Sequence, residues 1–198
     1  MIRYSLLCAG VAIAALACSP KSSQSSEEAV TQAFDAFAEA AGTKNGQKAA
    51  TLVSESSLES FDRIRKLALY GGTSDLEGAE LEELTLVLVL RSMLDPGVLR
   101  DMSREDLVAL ALGSEQLLFT RVQKGDRLQD LSIEDGVATA RVVVGKHDVH
   151  VADSRLLLED GVWRYDLRPH LETMRKNLLD IAKEKDMSPG KYVGMLVE

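Results

Sequence analysis

The chain has 198 residues, a formal net charge of −8 and 45% hydrophobic side chains, a composition that fits one folded domain and excludes a disordered or fibrous chain. Its acidic balance argues against a nucleic-acid binder, because phosphates call for clustered lysine and arginine. The same balance argues against broad adhesion to anionic lipid.

In chain order, a single positive charge, Arg3, precedes twelve apolar or small residues, 6–17. Twelve are too few to cross ~30 Å of hydrocarbon, which takes roughly 20. They do fit the apolar region of an export signal. The stretch ends in Ala15-Leu16-Ala17-Cys18, which resembles the lipobox of bacterial lipoproteins. That resemblance implies cleavage between Ala17 and Cys18, a diacylglycerol thioether on Cys18 and acylation of the freed amine. The sequence departs from the commonest pattern at Ala15, where leucine is usual. Cys8 is a poorer site, since it lies close to Arg3 and follows Leu7 where a small residue is wanted. The competing reading is a secretory signal in which Cys18 has no special role.

Several acyl chains on one residue give stable membrane anchoring. Ser19, standing where aspartate would imply inner-membrane retention in a Gram-negative envelope, favours the outer membrane, with the protein facing the periplasm. Loss of residues 1–17 removes Cys8 and only one charge, Arg3, so the mature chain becomes one unit more acidic and has no cysteine pair to oxidise. Its core must then supply the stability itself. The Ser-rich residues 18–27 read as a tether.

Helix signals follow. Ser25 and Glu28 form a capping box ahead of Val30, Phe34, Phe37 and Ala41, and Gly42 ends that stripe. Residues 46–53 continue helically. Ser56 and Glu59 open a helix through Leu58, Phe61, Ile64, Leu67 and Ala68, stopped by Gly71-Gly72. Ser74 and Glu77 start a third, with acidic first turns that suit the positive end of the dipole. Its apolar run, 84–90, has the composition of a strand, but the cap behind it and Pro96 ahead favour a buried helix. Ser103 and Asp106 cap a shorter helix that ends at Gly113.

The period then changes. Gln129, Leu131 and Ile133 alternate up to the hairpin signal Asp135-Gly136, and Ala138, Ala140, Val142 and Val144 alternate beyond it. Residues 149–158 form a third strand. Asp160-Gly161 turns into a fourth, where Trp163, Tyr165 and Leu167 share a face. The expected fold class is α+β, with N-terminal helices packed on a curved four-stranded antiparallel meander in a domain spanning 28–167. A C-terminal helical extension, 168–198, is expected to dock on it. Pro169 starts that extension, Leu171, Met174, Leu178 and Ile181 form its stripe, and Ser188-Pro189 opens a last short helix.

The Phe34/Phe37 helix, the segment Gly46-Gln47-Lys48-Ala49-Ala50-Thr51-Leu52-Val53-Ser54 and the closing Glu159-Asp160-Gly161-Val162-Trp163-Arg164-Tyr165-Asp166-Leu167 together resemble the nuclear transport factor 2-like superfamily. The resemblance implies a cone of helices over a curved sheet and covers roughly residues 28–167. The long helical insertion at 74–113 and the tail depart from it. The superfamily holds isomerases, dehydratases and many non-enzymatic binding domains, so fold alone does not choose among them.

Candidate site residues are few. His147 and His150 lie three apart, which on a strand places them on opposite faces, and no third ligand has zinc-like spacing. No metal and no cofactor is implied. His147 reads as a turn residue. His150 has two registers open to it. An unbroken strand puts it on the face of Ala152, Ser154, Leu156 and Leu158, whereas a bulge near Asp153 puts Val149 and Val151 there instead. In the first case an isomerase or hydratase type of enzyme would use His150 and Tyr165 in the cone cavity. Trp163 and Tyr165 are candidate ligand-binding aromatics, with burial in the core as the alternative. The acidic cluster Glu77, Glu80, Glu82 and Glu83 reads as a solvated helix start. The leading expectation is a lipid-anchored envelope protein with a non-enzymatic domain that binds a partner protein or a small apolar ligand.

Overall fold

The computed structural model describes residues 26–114, 122–144 and 149–195. Ala17, Cys18, the Ser25 cap and His147 lie outside the described residues. The architecture is α+β, with seven helices before the sheet and two after it among the described residues.

Helix α1, Ser26–Gly42, buries Val30, Phe34 and Phe37 on one stripe. A turn at Lys44, in the left-handed region with φ 55°, leads into α2, Gly46–Ala50, which is capped by the Asn45 side chain accepting from Lys48 N. Helix α3, Glu55–Tyr70, begins at Ser54, whose Oγ accepts from Ser57 N. The expected cap at Ser56 is thus displaced by two residues, because Ser54 is held in the extended conformation by its own N–H donating to Tyr165 O.

The expected third helix is two. α4, Thr73–Glu77, ends at Gly78, and α5, Leu81–Met93, restarts with a capping box of Glu80 and Glu83. The 84–90 run is helical. α5 buries Leu86, Val87 and Leu90. α5 stops short of Pro96, which sits at the first position of α6, Pro96–Asp101; α7, Arg104–Gly113, follows. The Ser103/Asp106 capping box opens α7. Where α2 crosses α7 the backbones nearly touch, and a Cβ on Gly46 would lie 1.9 Å from Ala109 O.

Strands β1, Arg127–Glu134, β2, Val137–Val144, β3, Val149–Glu159, and β4, Val162–Asp166, form one antiparallel sheet in that order. Both short hairpins turn on Asp-Gly pairs with positive φ, at 135–136 and 160–161. A bulge between Gln129 and Ser132, with Asp130 at φ 56°, changes the face of β1. Leu128, not Gln129, therefore joins Leu131 and Ile133 against the core. The outer side of β4 is closed by residues 52–54, where Tyr165 N donates to Leu52 O and Ser54 N to Tyr165 O. Ala138, Leu156 and Tyr165 stand side by side across β2, β3 and β4, all buried, with Tyr165 against Phe34 and Phe37 of α1.

Helix α8, Arg168–Glu184, starts directly after Leu167 and contacts α5 and β3. α9, Pro189–Met195, contacts α5 and α8. Together they bury His170, Leu171, Leu178, Ala182 and Val193.

Candidate functional site

The sheet carries the aromatic residues singled out from sequence. Tyr165 is 1% exposed, stacked on Phe37 with ring centroids 3.9 Å apart. Its hydroxyl lies 2.8 Å from His170 Nε2, across the junction of β4 and α8. Burial, followed by the nearby Asp166 and Asp126 charges, pushes the Tyr165 phenol well above its ordinary range. Burial lowers the His170 imidazole to about 4, against a smaller opposing pull from Asp166. The pair is thus a neutral imidazole and a neutral phenol in an enclosed position.

Trp163 belongs to the same apolar cluster and is also buried. The candidate ligand-binding aromatics are therefore core side chains, because strand alternation turns both toward α1 and the neighbouring helices.

His150 lies elsewhere. A bulge in β3 leaves Val151 without a partner between the Val142–Ala152 and Val143–His150 pairs. This single extra residue sets His150 on the face opposite Ala152, Ser154 and Leu156. The bulge is two residues earlier than the one considered from sequence. His150 is exposed and its Nε2 lies 3.0 Å from Asp153 Oδ1. Tyr165 pairs with Leu156, six residues along β3, which is roughly 20 Å of strand. His150 and Tyr165 do not converge in an enclosed cavity. The imidazole at the Tyr165 hydroxyl is that of His170 instead.

A second buried polar group was missed altogether. Asp166, wholly enclosed, accepts from Ser57 Oγ at 3.0 Å, Arg155 Nε at 2.6 Å and Arg168 Nη2 at 2.8 Å. Burial opposes its ionisation, but the hydrogen bonds from Arg168 and the Arg155 charge outweigh that effect and hold the carboxyl below its ordinary range. Ser57 Oγ in turn accepts from Leu167 N and pairs with Ser54 Oγ at 2.9 Å. Alternation puts Asp166 on the outward face, but the start of α3 covers it there. Its short spacing to Arg168 was the available signal. The network ties α3, β3, β4 and α8 together, and no buried side-chain oxygen or nitrogen in it lacks a hydrogen-bond partner.

Glu82 also departs from the solvated helix start expected for it. It is 6% exposed, and burial raises its carboxyl above the ordinary range. Arg175 of α8 lies 3.8 Å away and donates to Glu80 at 2.8 Å. Among the described residues Glu82 Oε2 has no hydrogen-bond partner.

The described residues form several open surface grooves. One of about 860 Å³ lies between the sheet and α8, bordered by Arg141, His150, Arg155, Glu172 and Lys176. Another, of about 820 Å³, follows α3 past Arg63, Leu67 and the exposed Tyr70. Two more flank the α2–α7 crossing and the start of α3. None of the four is lined by Trp163, Tyr165 or His170. Among the described residues no group of three or more His, Cys, Asp or Glu is placed to hold a metal ion, and no helix is long and apolar enough to cross a membrane. Comparison with protein-family models, curated proteins and solved structures finds no match.

Proposed function

We propose that the chain is a lipid-anchored protein of the bacterial cell envelope whose α+β domain acts by binding, on a partner protein or a small apolar ligand. The observation that carries the anchor is Ala15-Leu16-Ala17-Cys18 at the end of a charge-free apolar run too short to span a bilayer. Ser19 supports the outer membrane. Binding rather than catalysis is supported by where the polar groups lie. The phenol–imidazole pair and the Asp166 network are engaged inside the domain, whereas the surface grooves are open and of mixed charge. The order of helices followed by a four-stranded meander supports a nuclear transport factor 2-like framework for that binding domain.

Detergent phase partition of the full chain made in a bacterial host tests the anchor. Wild-type protein should enter the detergent phase at its processed mass, and Cys18→Ala should accumulate as an uncleaved precursor of higher mass without acyl chains. Equal processing of the two would overturn the proposal.

A further inference from the structure

The last helix has little of its own to hold it. α9 has seven residues, two of them Gly190 and Gly194, and so short a helix is marginal in water without packing. Only Val193 is fully buried, where α9 meets α5 and α8, while Lys191 and Met195 are exposed. Val193, Leu178 and Ala182 are buried but lie outside the main apolar cluster, whose last member in the chain is Leu171.

The joint between the two helices is also distinct from the rest of α8. Asp186, in the left-handed region with φ 53°, turns the chain after Lys185, and Met187 N donates back to Ala182 O at 2.9 Å. Beneath, the seam between α5 and α8 is held at its polar end by Arg175, which hydrogen-bonds Glu80 but stands off from the enclosed Glu82 at 3.8 Å.

We propose that α9 is a reversible latch on the α5–α8 seam, opening and closing while the sheet stays folded and baring, when open, the apolar slot that Val193 fills. The balance of forces sets its scale. Burial of Val193, with the half-buried Pro189, Tyr192 and Gly194 beside it, holds the closed form. Ordering seven residues that include two glycines works against it and leaves a narrow margin. The open form is therefore a minor state reached without global unfolding.

Native-state hydrogen exchange on the full chain tests this. The amides of residues 192–195 should exchange at least about 100-fold faster than those of Val142 and Leu156, and their rate should not respond to low urea. Gly190→Ala and Gly194→Ala supply an independent lever, since a Cβ at either position meets nothing within 4 Å. Each should slow α9 exchange by up to about fivefold through helix propensity, leaving the sheet amides unchanged. Val193→Ser should speed α9 exchange and raise binding of the apolar dye ANS without loss of the near-ultraviolet signal. Exchange of α9 at the rate and urea dependence of the sheet would overturn the latch. So would glycine variants that slow both sets of amides together.

Discussion

At the scale of single residues, the Tyr165–His170 contact joins the sheet to the helix that follows it. Removing the phenol oxygen by Tyr165→Phe keeps the ring stacked on Phe37 but strips Nε2 of its hydroxyl partner in an enclosed site. The expected cost is about 1–3 kcal/mol, read from urea unfolding. His170 also makes stability depend on pH in a defined direction. Its folded value, about 4, is below the unfolded value of 6.5, so at low pH the unfolded chain binds a proton that the folded one does not. Stability from this group is intact above pH 6.5 and falls as pH drops toward about 4, by about 3 kcal/mol in all. Asp166 is lowered too, but from 3.8, so its loss comes at more acid pH. Glu82, raised by burial, has the opposite sign, and its contribution fades as pH rises through its folded value. Urea melts from pH 7.5 to 4 check this, and His170→Gln should flatten the loss between 6.5 and 4. An unchanged slope in that variant would assign the proton elsewhere.

At the scale of elements, legibility in the sequence followed the range of the interaction. The Asp-Gly turns at 135–136 and 160–161 and the Ser103/Asp106 cap are decided within four residues, and all three stand where local chemistry puts them. The strand faces were readable only where nothing interrupts alternation. Bulges in β1 and β3 each insert one residue, which moved Leu128 inward in place of Gln129 and settled His150 on the outer face. Asp130 suits the positive φ of the β1 bulge, but the β3 bulge has no such local marker. The site suffered most, because Asp166 and His170 are defined by partners far along the chain or across a junction. Ser57 lies 109 positions from Asp166, and sequence spacing carries no trace of that contact. The close α2–α7 crossing is a similar case. Gly46→Ala should clash with the backbone at Ala109, costing about 3 kcal/mol or more, because neither helix can yield without losing its own hydrogen bonds. Thermal unfolding of that variant checks it, and a midpoint equal to wild type would mean the crossing is looser than the distance implies.

At the scale of the whole molecule, the described residues form a domain whose strongest polar contacts face inward and tie α3, the sheet and α8 into one unit. Trp163 lies at the β3–β4 hairpin end of that unit. Trp163→Ala should cost about 3–5 kcal/mol in a urea melt, as the loss of a buried aromatic. A loss of under 1 kcal/mol would show that the ring is not part of the core. The chain's two cysteines, Cys8 and Cys18, both precede the domain, so its stability rests on this packing rather than on a disulfide within it. The proposed lipid anchor would fix where the domain works and what it can meet. The most direct test is mass spectrometry of the N-terminal tryptic peptide from the membrane-extracted protein. The predicted peptide is Cys18-Ser19-Pro20-Lys21 carrying a diacylglycerol thioether and an amide-linked acyl chain. An unmodified thiol at Cys18, or a mature N-terminus at any other residue, would contradict it.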